Sequence, residues 1–332
     1  IQHTTLPSYI AEKSMPKVSI IMLVCNAQSY LDKSIQSILN QTYRNFELII
    51  VDQGSTDDSL SIITTYQKEH LDRIQLISQQ NYGTSAALNV GIDKSNCPYI
   101  MFIDRGDYLQ EEILALMMEE AKETDADLVL TNARIIEDKE QKHVQVRFSG
   151  KMKARVESIY ENKDLLNTIL PFFWGKLYKK TLFTDNHIYF PLGLRDQDLG
   201  TIPRLLLHGK KIAKVNRALC HYNYHQDDDI KEHNYRILET VKNLRIVKNY
   251  YQEQKQDEEF ANQLEYLFIY HLLFRSAEKV AKISDPGIRS DLLEELRQVI
   301  EIEYPGWVNN PIIKDLSLRK RMYLKRINRK NK

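Results

Sequence analysis

The stretch "VSIIMLVCNAQSYLDKSIQSILNQTYRNFELIIVD" (18–52) decides the fold. With Lys17 before it, the run "KVSIIMLV" (17–24) is apolar, largely β-branched and of strand length. The following "SYLDKSIQSILNQTY" (29–43) sets Leu31, Ile35, Ile38 and Leu39 on one helical face, with Ser29 placed to cap it. "FELIIVD" (46–52) is a second apolar run that ends in a carboxylate. Neither run alternates polar with apolar, so both are predicted to be covered on both faces. Two such strands joined by an amphipathic helix are the repeating unit of a parallel sheet.

Outward from that unit the pattern continues. A helix is predicted over 57–70, a strand over 73–78, a helix over 84–95 and a strand over 99–104. A helix over 110–123 and a strand over 127–136 follow. The expected fold class is α/β, a Rossmann-like, mostly parallel sheet with helices on both faces. Ligands in such sheets bind beyond the carboxyl ends of the strands. Asn26, Asp52, Asp104 and the Asn81-Tyr82-Gly83 turn are therefore expected to meet in one crevice. Residues 139–165 are charged and weakly patterned, and 172–183 are aromatic and basic. A short helix is predicted over 198–209 and an extended segment over 211–225, and the chain beyond about 229 reads as helical and charged. The expected organisation is a polar leader over 1–16, an α/β domain over 17–228 and a helical C-terminal region over 229–332.

Composition narrows the classes. The chain has 332 residues, 42% hydrophobic and 27% charged, enough for a substantial core. Lys and Arg number 46 against 45 Asp and Glu, a net charge of +1 that gives no reason to expect nucleic acid as a partner. Cys25, Cys97 and Cys220 are too scattered for a zinc site or a disulfide framework, so a cytoplasmic location is expected. No apolar run approaches the roughly 20 residues of a membrane span.

The turn "VCNAQSY" carries no Gly-x-Gly-x-x-Gly, and no Gly-x-x-x-x-Gly-Lys-Ser/Thr or Gly-x-Ser-x-Gly occurs. Dinucleotide oxidoreductases, P-loop ATPases and α/β hydrolases lose ground accordingly. The chain resembles the family-2 glycosyltransferases of GT-A fold. The resemblance runs through "VSIIMLVCNAQSYLDKSIQSILNQTYRNFELIIVDQGSTDDS" (18–59), "NYGTSAALNVGIDKS" (81–95) and "YIMFIDRGDYL" (99–109). It continues in "WGKLYKKTLF" (174–183) and "LRDQDLGTIPRLLLHGKKI" (194–212). It implies a nucleotide-sugar donor, usually UDP-linked, and a divalent cation (Mn or Mg) between the DXD aspartates and the diphosphate. It also implies transfer with inversion to a glycan or lipid-linked acceptor. Carried over residue by residue, Asp52 matches the aspartate that reads uracil, and Cys25 and Asn26 lie in the loop beside the base. Asn81 and Gly83 lie in the turn after the third strand. Asp104 matches the first DXD aspartate, and Asp198 the catalytic base.

Several positions depart from the family pattern. Gln53, Leu88 and Gln197 replace charged residues, Gly106 replaces the second DXD aspartate, and the aromatic beside the base is missing from 23–26. Asp107 is either a displaced metal ligand with Asp104 or an acid at a helix N-terminus, and Asp198 is either the base or a helix cap. Cation binding is expected to be weak and nucleotide-dependent, with Arg105 a substitute charge if it turns inward. A catalytically inactive relative that binds a partner or glycan is the rival reading. His221 and His225 bracket tyrosines on an extended segment, and Trp174, Tyr178 and Tyr189 are either packing residues or sugar platforms. The tail 312–332 spaces Ile313, Leu316, Tyr323 and Ile327 amid nine basic residues. It is either a solvated basic tail or a segment that lies on an anionic membrane, as at the inner face of the cell membrane. A homo- or hetero-oligomer is compatible with the same features.

Overall fold

The computed structural model describes residues 17–104, 106–137, 142–146, 150–224 and 234–329. The leader, Arg105, His225 and the expected domain boundary near 229 lie outside the described residues. Strands β1 (Val18–Val24), β2 (Phe46–Gln53), β3 (Ile74–Gln79) and β4 (Tyr99–Ile103) alternate with helices α1 (Leu31–Leu39), α2 (Ser59–Glu69) and α3 (Thr84–Lys94). β5 (Tyr108–Leu109), α4 (Ile113–Thr124), β6 (Leu128–Glu137), β7 (Lys142–Val146) and β8 (Val156–Glu157) follow. Then come β9 (Lys176–Lys179), α5 (Gln197–His208) and β10 (Ile212–Tyr224).

One ten-stranded sheet runs in the order β3-β2-β1-β4-β9-β6-β10-β5, with β7 on β6 and β8 on β10. Its first four strands are all parallel, and every residue of β1 is buried. The expected mostly parallel sheet is realised there, and the other half is mixed. β9 runs antiparallel between β4 and β6, while β6 and β10 pair in parallel. The α/β fold with a helical C-terminal region thus stands. Ser29 does not cap α1; Tyr30 occupies the cap position and no side chain closes it.

Phe102, next to last in β4, ties the halves together. Its ring meets Phe173, Tyr178, Phe183 and Phe190 edge-on at 5.7–5.9 Å, a favoured aromatic geometry. The segment 172–190 is thereby fixed against the end of β4. Tyr178 belongs to this core and its hydroxyl donates to Phe173 O at 2.8 Å, so it is no sugar platform.

The helical region comprises α6 (Glu239–Glu253), α7 (Ala261–Phe268), a π-helical stretch Ile269–Ser276, α8 (Ala277–Val280), α9 (Pro286–Glu303) and α10 (Leu318–Arg329). Among the described residues no helix is long and apolar enough to cross a membrane. In the tail, Ile313, Leu316 and Ile327 pack on the core, and the Tyr323 hydroxyl donates to Leu273 O at 3.0 Å. These four do not form an outward apolar face. Leu318 and Met322 do, at 65% and 62% exposure.

Candidate active site

At the carboxyl end of β1 the chain turns at Asn26, whose φ of 49° is left-handed. That turn is knitted to the loop after β2. The Asn26 N–H donates to Ser55 Oγ at 3.0 Å, and Asn26 Oδ1 accepts from the Thr56 N–H at 2.8 Å. The Ala27 N–H donates to Ser59 Oγ at 2.8 Å. Asn26 thus shapes the crevice wall. Asp52 lies at its floor, 1% exposed, accepting from the Ser55 N–H and the Ser78 hydroxyl, each at 3.3 Å.

The turn after β3 closes the same corner. Asn81 Nδ2 is 3.8 Å from Cys25 Sγ, and Asn81 Oδ1 accepts from the Gly83 N–H at 3.0 Å. Gly83 precedes α3 with φ 89°. Cys25, Asn26, Asp52, Asn81 and Gly83 therefore converge as the topology requires, where the order 3-2-1-4 reverses at β1.

Asp104 leaves β4 half-buried at the same edge. Its carbonyl accepts from the Asp107 N–H at 3.2 Å, and Gly106 completes the turn with φ 79°. Asp107 is only 4% exposed and lies beside Cys220 of β10. Burial, then the Asp107 charge, push that thiol up to about 12. Among the described residues no three His, Cys, Asp or Glu side chains gather as a cation site. Leu88 is wholly buried in the core and Gln53 nearly so.

Asp198 comes to this edge from the far half. It lies in the first turn of α5, and the cap position belongs to Asp196, so the capping alternative does not hold. Asp198 Oδ2 accepts from the Phe173 N–H at 3.0 Å. Oδ1 is sealed from solvent and has no hydrogen-bond partner among the described residues. Burial pushes the carboxyl up to about 8. The Phe173 N–H and the Lys176 charge pull it back, and the Asp196 and Asp104 charges add to the rise. Asp104 and Asp198 are thus near enough to feel each other.

Lys176, which the sequence reading passed over, is wholly buried in β9. Its ammonium donates to Phe172 O at 2.7 Å. Burial pulls it down to about 7, against the opposing pull of Asp198 and Cys220. A lysine in a four-residue strand among aromatics was the available signal. Trp174 is sandwiched between Phe172 at 5.3 Å and Tyr222 at 4.5 Å. Tyr189 donates to Asp93 at 2.9 Å. His221 is buried and stacks on Tyr108 at 4.3 Å.

A carboxylate floor under β1 and β2, a second carboxylate after β4 and a third arriving from α5 agree with a match to the model described as "Glycosyl transferase family 2" over residues 19–190. The chain belongs to glycosyltransferase family 2. Among this family-2 chain's relatives is Glycosyltransferase GlyA of Streptococcus pneumoniae, 29% identical over 62% of the chain and 30% of GlyA. Putative glycosyltransferase EpsH of Bacillus subtilis is 27% identical over 77% of the chain and 75% of EpsH. The match thus spans under a third of GlyA and three quarters of EpsH. The structure of S. aureus TarS 1-349 in complex with UDP-GlcNAc superposes with a TM-score of 0.56 at 18% identity. It covers 87% of this chain and 92% of that one, a likeness of fold.

Proposed function

We propose that the protein moves a sugar from a UDP-linked donor to a hydroxyl of a glycan or lipid-linked acceptor, with inversion. The observation that carries this reading is the place of Asp104 at the carboxyl end of β4, beside the Asp52 crevice and near enough to Asp198 of the other half for their charges to interact. The complex of TarS with UDP-GlcNAc supports the choice of donor.

Asp52 reads the uracil edge from the floor, and the Cys25–Asn26 and Asn81–Gly83 turns flank the base. The diphosphate lies toward Asp104. In a single displacement the acceptor oxygen attacks the anomeric carbon, the bond to UDP breaks with its electron pair going to the diphosphate, and the acceptor proton passes to Asp198. A buried carboxylate raised to about 8 is a better proton acceptor than an ordinary one. A divalent cation, when bound, would neutralise charge on the leaving diphosphate. The donor set fits one held mainly by phosphate oxygens, with Asp104 as the protein ligand.

A peripheral membrane contact through α10 would bring the enzyme to a lipid-linked acceptor. Leu318 and Met322 stand exposed among Arg319, Lys325 and Arg326, while Leu324 anchors the helix at 2% exposure. A basic helix with exposed apolar residues suits an anionic lipid surface, which would place the enzyme peripherally at the inner face of the cell membrane.

The reading is tested by incubating the full chain with UDP-sugars and following UDP release and the anomeric configuration of the product. UDP release with the configuration inverted is expected. No turnover with any UDP-sugar, despite UDP binding, would favour the inactive relative.

A further inference from the structure

We propose that the helical region completes the catalytic site, with Lys279, Asn243 and Glu239 as positioning residues that hold the Arg195–Asp196 turn and so aim Asp198. The proposal rests on the reading of Asp198 as the base.

The Arg195 backbone and the Asp196 carboxylate are engaged from the helical region. The Arg195 N–H donates to Glu239 Oε2 at 2.7 Å, and Arg195 O accepts from Asn243 Nδ2 at 2.6 Å. The Asp196 carboxylate accepts from Lys279 at 3.0 and 3.3 Å and from the Thr240 hydroxyl at 3.3 Å. Glu239, Thr240 and Asn243 belong to α6 and Lys279 to α8.

Asp196 needs such a hold. Its φ of 50° is left-handed for a residue with a side chain, a conformation that persists only where the surroundings over-determine it. Its carbonyl starts the helix by accepting from the Leu199 N–H at 2.9 Å. A shift at Asp196 therefore swings Asp198, two residues on.

The approach of α6 to α5 is equally specific. Asn243 is fully buried, and a Cβ on Gly200 would lie 2.6 Å from Asn243 Oδ1. Only glycine at 200 lets α6 come this near. His271, from the π-helical stretch, also lies near enough to feel Asp196, and π-helical turns recur at functional sites.

Stability alone does not explain the ion pair. Lys279 and Asp196 keep 36% and 44% side-chain exposure, and pairs so exposed add little to folding free energy. Their geometry has a clearer consequence. Partial burial works to raise the Asp196 carboxyl, yet the Lys279 charge and hydrogen bond hold it low. The turn thus keeps a charged clasp that an uncharged residue could not make.

The test uses the full chain as Lys279→Met, Asn243→Ala, Asp196→Asn and the Lys279→Met/Asp196→Asn double variant. UDP release from UDP-N-acetylglucosamine, UDP affinity and amide exchange over 195–199 are measured. Expected are a fall in kcat of about 10- to 100-fold with donor KM and UDP affinity within about twofold. The double variant should be no worse than the worse single one, Lys279→Arg should restore most of the rate, and the 195–199 amides should exchange faster. Unchanged kcat, or a rate loss that only tracks a lower melting temperature, would overturn the proposal. If the parent releases no UDP from any UDP-sugar, it is the base reading that fails. Exchange then decides the clasp, and unchanged protection over 195–199 in Lys279→Met and Asn243→Ala would remove it.

Discussion

The two halves of the sheet are built on different principles. Strands β1 to β4 and their helices form a repeating parallel unit in which each polar site residue sits at or just past the carboxyl end of its own strand. The donor crevice is assembled from these neighbours. The acceptor half is mixed in direction, and its one catalytic candidate, Asp198, is placed by Phe173, by Lys176 and by helices from the end of the chain. Regular architecture positions a binding site with short-range information. Asp198, the proposed proton acceptor, is held by contacts that span much of the sequence.

The sharpest test of that contrast is to remove the acceptor-side carboxylate alone. Asp198→Asn keeps size while deleting the base, and transfer is expected to fall by about 10²–10⁴-fold. UDP affinity, which belongs to the other half, should hardly change. Parallel assays of turnover and nucleotide binding check both.

A smaller effect lies in the pH profile. Asp198 must be ionised to accept a proton, so kcat/KM should rise with pH through about 8. Lys176 opposes that rise in proton affinity, and Lys176→Met should therefore move the limb to higher pH while lowering the rate at neutrality. For folding the sign is opposite. A carboxyl raised above its unfolded value contributes stability below the usual carboxylate range, and that contribution is lost as pH climbs through about 8. A melting series between pH 5 and 9 reads the stability side, and a limb that stays put in Lys176→Met would uncouple the two residues.

On the donor side, Gly106→Asp restores the missing acid. Affinities for manganese and UDP should rise together by a few-fold, since the two ligands share a bridge. The backbone sets a limit, because φ at 106 is 79° and any side chain there carries strain. Titration of each ligand with and without the other measures the coupling.

A separate effect is expected at α10. Reversing Arg319, Lys325 and Arg326 to Glu should weaken binding to anionic vesicles, and salt should weaken it in the parent, at about 1 kcal/mol per basic residue. Binding that survives the reversal would locate the contact elsewhere. Because Leu324 and Tyr323 are docked, charge reversal is a cleaner variant than deletion of the tail.

The same contrast explains what could be read from the chain. Apolar runs such as 17–24 and 46–52 declare their strands locally, and the observed bounds differ by a residue. Asp52 and Asp104 were legible because strand ends carry the ligands of such sheets. β9 was missed because Lys176-Leu177-Tyr178-Lys179 is short and flanked by aromatics, with neither period to mark it. The cap at Asp196 rather than Asp198 depends on a left-handed φ, which no pattern announces for a non-glycine residue. Nothing near Lys279 in sequence points to Asp196, 83 positions away; only the packing of α6 and α8 on that turn brings them together.

The central claim is that the parallel half is a uridine-nucleotide site, and calorimetric titration of the parent and of Asp52→Ala with UDP and GDP tests it most directly. UDP is expected to bind the parent about 10-fold or more tighter than GDP, since buried polar readout is lost with a missing partner. Asp52→Ala should erase that preference. Equal, weak binding of both nucleotides before and after the substitution would contradict the donor-site assignment.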